Sequence, residues 1–180
     1  MSESVVAGGR ADELRRAFDR SFAEAPSETT VAVFDLLAIE VAGDPYALAL
    51  AEVAGLSVDR AITPLPTPVP ELLGLAGFRA TLVPVYDLRA LLGYRGRGAP
   101  RWIVSVAGAA PLGLAFDRFE AHARVPLAAL TALTAEDGRP RSHVRRMVRT
   151  DRGVRPLIHL PSVLAAVKAR AEAFARPKER

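Results

Sequence analysis

The residues most able to do chemistry are three histidines, His122, His143 and His159. None stands at metal-ligand spacing from another His, Asp or Glu, so the sequence predicts no metal site. His159 falls in an apolar strand-like run and reads as a packed or edge residue. The 180-residue chain has no cysteine, which excludes disulfides, zinc-thiolate sites and a thiol nucleophile and fits a reducing compartment. No serine stands in a nucleophile elbow. Tyr94-Arg95-Gly96-Arg97-Gly98 lacks the Lys-Ser/Thr pair and the strand-to-helix setting of a phosphate loop. Asp87 and Asp117 leave two readings open. They are carboxylates at strand ends that can pair as acid and base, but Asp87 directly precedes a helical run, where aspartate commonly caps. The expectation is a protein that is not an enzyme and carries no cofactor.

One charged feature stands out: Arg139, Arg141, Arg145, Arg146, Arg149, Arg152 and Arg155, offset within that stretch by Asp151 alone. Such a run fits an acidic protein face or nucleic-acid phosphate, and equally a solvated strand face. No aromatic residue is interleaved for base stacking, which weighs against single-stranded nucleic acid. A small β-barrel nucleic-acid binder using residues 139–155 is therefore the alternative function. Residues 1–60 carry a net charge of −6 and the remainder +10, nearly all of the excess being arginine, within a chain total of +4.

These residues need elements to hold them. Half of the chain is hydrophobic, enough for a packed core. The first residues lack a basic segment followed by an apolar one, so no secretory signal is expected. No stretch reaches the roughly 20 apolar residues of a membrane span. Residues 1–30 read as an extension whose amphipathic helix, Ala11 to Glu24, places Ala11, Leu14, Phe18 and Phe22 on one face. From Val31 the period changes to two. Leu37, Ile39 and Val41, then Tyr46, Leu48 and Leu50, make the bulky face of a hairpin whose other face is mostly alanine. Val53 to Ala61 is a further strand. The proline-rich run Thr63 to Pro70 is a stiff connector. A second hairpin is expected at Arg101–Ala107 and Leu112–Asp117, a continuing strand at Ala121–Val125, and a short helix at Pro126–Leu133. Strands at Val144–Thr150 and Val154–Leu160 follow, then a final helix from Pro161 to about Phe174 with Val163, Leu164, Val167, Ala171 and Phe174 on one side. Residues 171–180 read as a charged tail.

The chain also carries an internal repeat. A shift of 72 residues, with no gap, puts Leu72, Leu75, Ala76, Leu82, Val85, Tyr86, Leu88, Leu91 and Leu92 on Val144, Met147, Val148, Val154, Leu157, Ile158, Leu160, Val163 and Leu164, and Pro84 on Pro156. Each copy reads strand, turn, strand with a proline, short helix. Two similar small β units are expected within residues 31–170, and many short strands favour small barrels.

The run from Pro68 to Arg89, PVPELLGLAGFRATLVPVYDLR, resembles the signature of the CheW-like family of chemotaxis coupling proteins. Gly74, Arg79, Pro84, Val85, Asp87 and Leu88 match in register. Tyr46 to Val53, Pro111 to Asp117 and Val144 to Leu164 are similar to other family segments, and the resemblance covers about Val31 to Val167. It implies a mainly β fold of two packed, five-stranded SH3-like barrels, here with an added N-terminal helix and a C-terminal helix. It implies a non-catalytic adaptor between the cytoplasmic tip of a methyl-accepting chemoreceptor and the regulatory domain of a CheA-type histidine kinase. It further implies a cytoplasmic protein recruited to membrane-associated receptor arrays, with no small-molecule substrate and no membrane insertion. Val53, Gly74 and Arg79 occupy positions that bear on partner contact in the family. Arg141, Arg145, Arg146 and Arg149 form an expected patch for an acidic partner. The chain departs from the family pattern at Gly55, Gly77 and Ala80, and Arg146 takes the place of the glycine in the second copy.

Overall fold

The computed structural model describes residues 32–78, 80–95, 98–108, 111–133 and 142–175. The expected N-terminal helix, Arg79, Arg139 and Arg141 lie outside these residues. All the described residues belong to one compact unit, Ala32–Arg180.

Among the described residues, eleven strands and two α-helices follow one another. β1 (Val33–Val41) and β2 (Asp44–Ala49) form the first hairpin, and a single 3-10 turn, Leu50–Glu52, leads into β3 (Val53–Val58). After the connector come β4 (Leu72–Phe78), β5 (Thr81–Asp87) and the one-turn helix α1 (Leu88–Leu91). β6 (Trp102–Val106) and β7 (Leu112–Phe116) make the second hairpin, followed by β8 (Arg118–Pro126) and β9 (Leu130–Ala132). β10 (Val144–Thr150), β11 (Gly153–Ile158) and α2 (Leu160–Ala175) end the described chain.

The fold is mainly β, as expected, in two sheets ordered β8-β1-β2-β11-β10-β9 and β3-β6-β7-β5-β4. The sixth strand of the larger sheet is the three-residue β9. The sequence places a helix at Pro126–Leu133. The structure has only a 3-10 turn at Leu127–Ala129 before β9. Pairing with β10 and the packing of Leu130 outweigh the local helical signal there.

The larger sheet draws strands from both ends of the described chain, and the smaller one from its middle. The hairpin β1–β2 is flanked by β8 and, in parallel, by β11. The hairpin β6–β7 is flanked by β3 and, in parallel, by β5. β3 therefore leaves the sheet of the hairpin that precedes it and joins the other sheet, and β8 makes the reverse move. The five strands of the smaller sheet, β3 to β7, come from one continuous stretch, residues 53–116, inserted between the two parts of the larger sheet, β1–β2 and β8–β11.

Three apolar clusters account for the hydrophobic pattern. The largest takes the bulky hairpin face, Leu37, Ile39, Val41, Tyr46 and Leu48, together with Val104, Leu112, Leu114 and Phe116 of the other sheet, and lies between the two. The opposite face of the larger sheet has its own core, where Leu36 and Ala47 meet Val125 of β8 and Leu130 of β9. Both edge strands contribute to this cluster, so the sheet curls on itself. A third cluster, Ala76, Val85, Ile103 and Ala115 with Phe78 against it, fills the corresponding side of the smaller sheet. Alanines stand where the curl leaves little room. In α2, Leu160, Val163 and Val167 join the large core. Ala171 and Phe174, expected on the same side, are exposed, and the helix runs past residue 170 to Ala175.

The β4–β5 hairpin turns next to Ala80, whose φ is +66°. A Cβ in this left-handed region costs about 1–2 kcal/mol. Ala80→Gly is expected to raise stability by about 0.5–1 kcal/mol, since the relief of strain exceeds glycine's extra freedom in the unfolded chain. Urea unfolding with an unchanged m-value would check this.

Candidate functional site

The strongest polar cluster sits where the two sheets meet. Asp87 ends β5 and caps α1, accepting the Arg89 backbone N–H at Oδ1, 2.9 Å. The Arg89 side chain folds back on the same carboxylate, with Nε on Oδ1 at 3.0 Å and Nη2 on Oδ2 at 2.9 Å. Its Nη1 reaches Asp117 Oδ1 at 3.3 Å, and Nη2 also donates to the Gly98 carbonyl at 2.7 Å. Asp117 Oδ2 in turn accepts the N–H of Ala42 from the β1–β2 turn, at 2.6 Å. Of the two readings open for this aspartate pair, the structure takes the capping one. Both carboxylates are engaged by a guanidinium 8% exposed. The Asp87 hydrogen bond, against the opposing effect of burial, holds Arg89 above the ordinary arginine range.

A groove of about 350 Å³ opens beside the start of β3. Ala49, Ala51 and Glu52 form one wall, Phe34 and Leu157 are apolar lining, and Arg145 and Arg146 supply charge, with His159 beside them. Adjacent residues of a regular strand point to opposite faces. Arg145 and Arg146 share this groove because the β10–β11 register slips between Val144 and Arg146. Val53, the next residue after Glu52, pairs with Val106 and packs half-buried on the large core. The structure thus brings Arg145 and Arg146 together with the segment entering Val53. Arg149 alternates to the strand face opposite Arg146 and is not among the groove residues. Arg155, counted in the basic cluster by sequence, is buried at 5% exposure and paired with Glu120 at 2.6 Å. The seven arginines are therefore not one surface.

Gly74 is buried and stands apart from the groove. Its φ is +146°, and a Cβ built there would lie 2.1 Å from the Thr63 carbonyl oxygen. Thr63 and Leu75 exchange backbone hydrogen bonds at 2.8 and 2.9 Å. Glycine at 74 lets the proline-rich connector lie against β4. Near it, the side chain of Arg60 stacks over Phe78 at 5.2 Å.

Sequence reasoning missed Phe34, Leu157 and His159 as groove residues, because the groove forms only when the parallel pairing of β11 with β2 sets Leu157 and His159 beside the β1–β2 hairpin that carries Phe34 and Ala49. It also missed Arg89, for which the signal was the Asp-x-Arg spacing. Among the described residues no group of three His, Cys, Asp or Glu is placed to hold a metal, and no helix is long and apolar enough to cross a membrane.

With this geometry in place, comparison with known proteins is informative. Residues 35–168 match the family model described as CheW-like domain. The crystal structure of the scaffolding protein TtCheW from Thermoanaerobacter tengcongensis superposes with a TM-score of 0.63 at 20% identity, over 71% of this chain and 89% of that one. At that identity the likeness is one of fold. No curated protein matches the chain.

Two predictions come from these contacts. Arg89→Met leaves the Asp87 and Asp117 carboxylates facing each other without their cation and is expected to destabilise the fold by roughly 3 kcal/mol, measured by chemical unfolding. The His143 carbonyl accepts the backbone N–H of the groove residue His159 at 2.8 Å, and His143 Nδ1 lies 3.0 Å from Ser162 Oγ. Burial, then Arg170, His159 and Arg145, hold its pKa below the ordinary 6.5. The unfolded chain then binds more protons, so the stability from neutral His143 is complete above 6.5 and is lost as pH falls through the lower folded value. His143→Gln is expected to flatten the slope of stability against pH just below 6.5.

Proposed function

The chain belongs to the CheW-like domain family, and on that premise we propose that it is a non-catalytic adaptor coupling chemoreceptors to a CheA-type histidine kinase. The observation that carries this reading is the family match across residues 35–168, which includes both sheets and every strand from β2 to β11 in full. The polar residues support it. The carboxylates best placed for acid–base work are tied up holding Arg89, which leaves surfaces rather than a reacting centre as the functional parts.

Two surfaces divide the work in this proposal. The groove beside Val53, apolar along Phe34 and Leu157 and cationic at Arg145 and Arg146, suits an amphipathic helix with acidic flanks, as a receptor tip would present. Arg79, the residue after Phe78 in the chain, offers a forked donor to a carboxylate or carbonyl of the kinase regulatory domain. Gly74 serves that second surface indirectly by holding the connector against β4. A Gly74 substitution is for this reason a poor probe of contact, since it displaces the connector first.

Calorimetry with the regulatory domain of a CheA-type kinase from the same organism tests the reading. Binding near the micromolar range, weakened at least tenfold by Arg79→Glu, is expected. Unchanged binding by that variant would remove Arg79 from the interface, and no binding by the wild-type chain would remove the kinase as partner. The paired substitution Arg145→Glu with Arg146→Glu is expected to weaken capture of a receptor-tip helical hairpin while leaving kinase binding unaltered.

A further inference from the structure

The end of α2 extends past the body that supports its start. Leu160, Val163 and Val167 sit in the large core, and Arg170 pairs with Glu71 just before β4. Ala171 to Phe174, the residues that follow, are all exposed. At 3.6 residues per turn Phe174 returns to the face of Val163 and Val167, yet it is 53% exposed. The buried face of the helix thus continues without a cover among the described residues.

Beside the middle of the same helix lies a recess of about 310 Å³. Leu164, Val167 and Lys168 form one wall, and Tyr86, Pro111 and Leu112 the other. Phe174 stands ten residues beyond Leu164, about 15 Å along the axis, too far to turn back into it. Lys168 and Glu172 lie 3.9 Å apart, and both are more than half exposed. On the helical wheel they flank the stripe of Leu164 and Ala171 on the side away from the core, whereas Phe174 flanks it on the core side.

A surface that carries a projecting aromatic and a recess, and both signs of charge, can complement itself about a two-fold axis. With two such helices antiparallel and the axis beside Arg170, Lys168 of each stands opposite Glu172 of the other. Phe174 then stands opposite Ala166, between the recess residues Leu164 and Lys168. A different protein would have to supply the aromatic side chain and the charge order that this helix already holds.

We propose that α2 pairs antiparallel with α2 of a second copy of this chain, Phe174 of each filling the recess of the other. Apolar contact supplies the attraction. The crossed Lys168–Glu172 pairs, exposed and individually weak, set direction and register. The patch is small for a specific interface, so a dissociation constant of roughly 10–100 μM is expected. It shares no residue with the groove beside Val53 and does not depend on the partner assigned there.

Sedimentation equilibrium of the full chain, from about 10 μM to about 1 mM, tests the pairing. A reversible monomer–dimer equilibrium is expected, because a two-fold contact closes on itself. Phe174→Ser, at an exposed site the fold does not need, is expected to weaken dimerisation at least tenfold. Lys168→Glu and Glu172→Lys each set like charges against one another and are expected to weaken it too. An equimolar mixture of those two variants is expected to recover the dimer, since each then meets its complement. A chain that stays monomeric throughout overturns the proposal and leaves the recess to a different protein. Dimers undiminished by Phe174→Ser place the contact on another surface and overturn it equally. Dimers lost in both charge variants and not recovered in their mixture overturn the antiparallel register.

Discussion

A single guanidinium holds the joint on which the two sheets depend. Arg89 connects the end of β5, the loop at Gly98 and the end of β7, and through Asp117 it reaches the turn of the β1–β2 hairpin in the other sheet. An exposed pair such as Arg101–Asp59, with both side chains more than half open to solvent, is screened and contributes little. Arg89 differs because burial removes the competing water, and because losing it would strand two carboxylates rather than one. Around this joint Tyr46 Oη and Tyr94 Oη meet at 2.8 Å, and Tyr94 donates to Asp44, tying the same loop to the same hairpin.

The insertion of one sheet into the other makes that joint consequential. No ladder runs between the sheets, so beyond the two chain crossings, β2 to β3 and β7 to β8, they are held together by the shared core and by the bonds around Arg89 and Asp117. The large core between them then fills with the bulky hairpin faces, and the smaller cores take the residues that remain. Most of the non-polar side chains are consumed in this way. What stays on the surface is a set of grooves and hairpin tips, the parts an adaptor uses.

The two copies of the repeat have diverged where packing permits. Val83 completes the apolar lining of one sheet, whereas Arg155 at the matching place introduces a charge that needs Glu120. Gly74 admits a connector against β4, while Arg146 at the matching place borders a groove. One strand–turn–strand–helix pattern thus supports two different surfaces.

The sequence by itself determined the strand class, most element limits, the repeat and the family. These depend on local periodicity, on turn chemistry and on a motif contiguous in the chain, from Gly74 to Leu88. Only the tertiary structure decided which strands lie side by side. It was the tertiary structure that exchanged β3 and β8 between sheets, turned the supposed helix after Pro126 into an edge strand, buried Arg155 out of the arginine cluster, and gathered Phe34, Arg145, Arg146 and His159 into one groove. Pairing between distant strands is set by how the cores fill and by which edge remains free. A run of residues records which face it will bury, but not which neighbour will cover it.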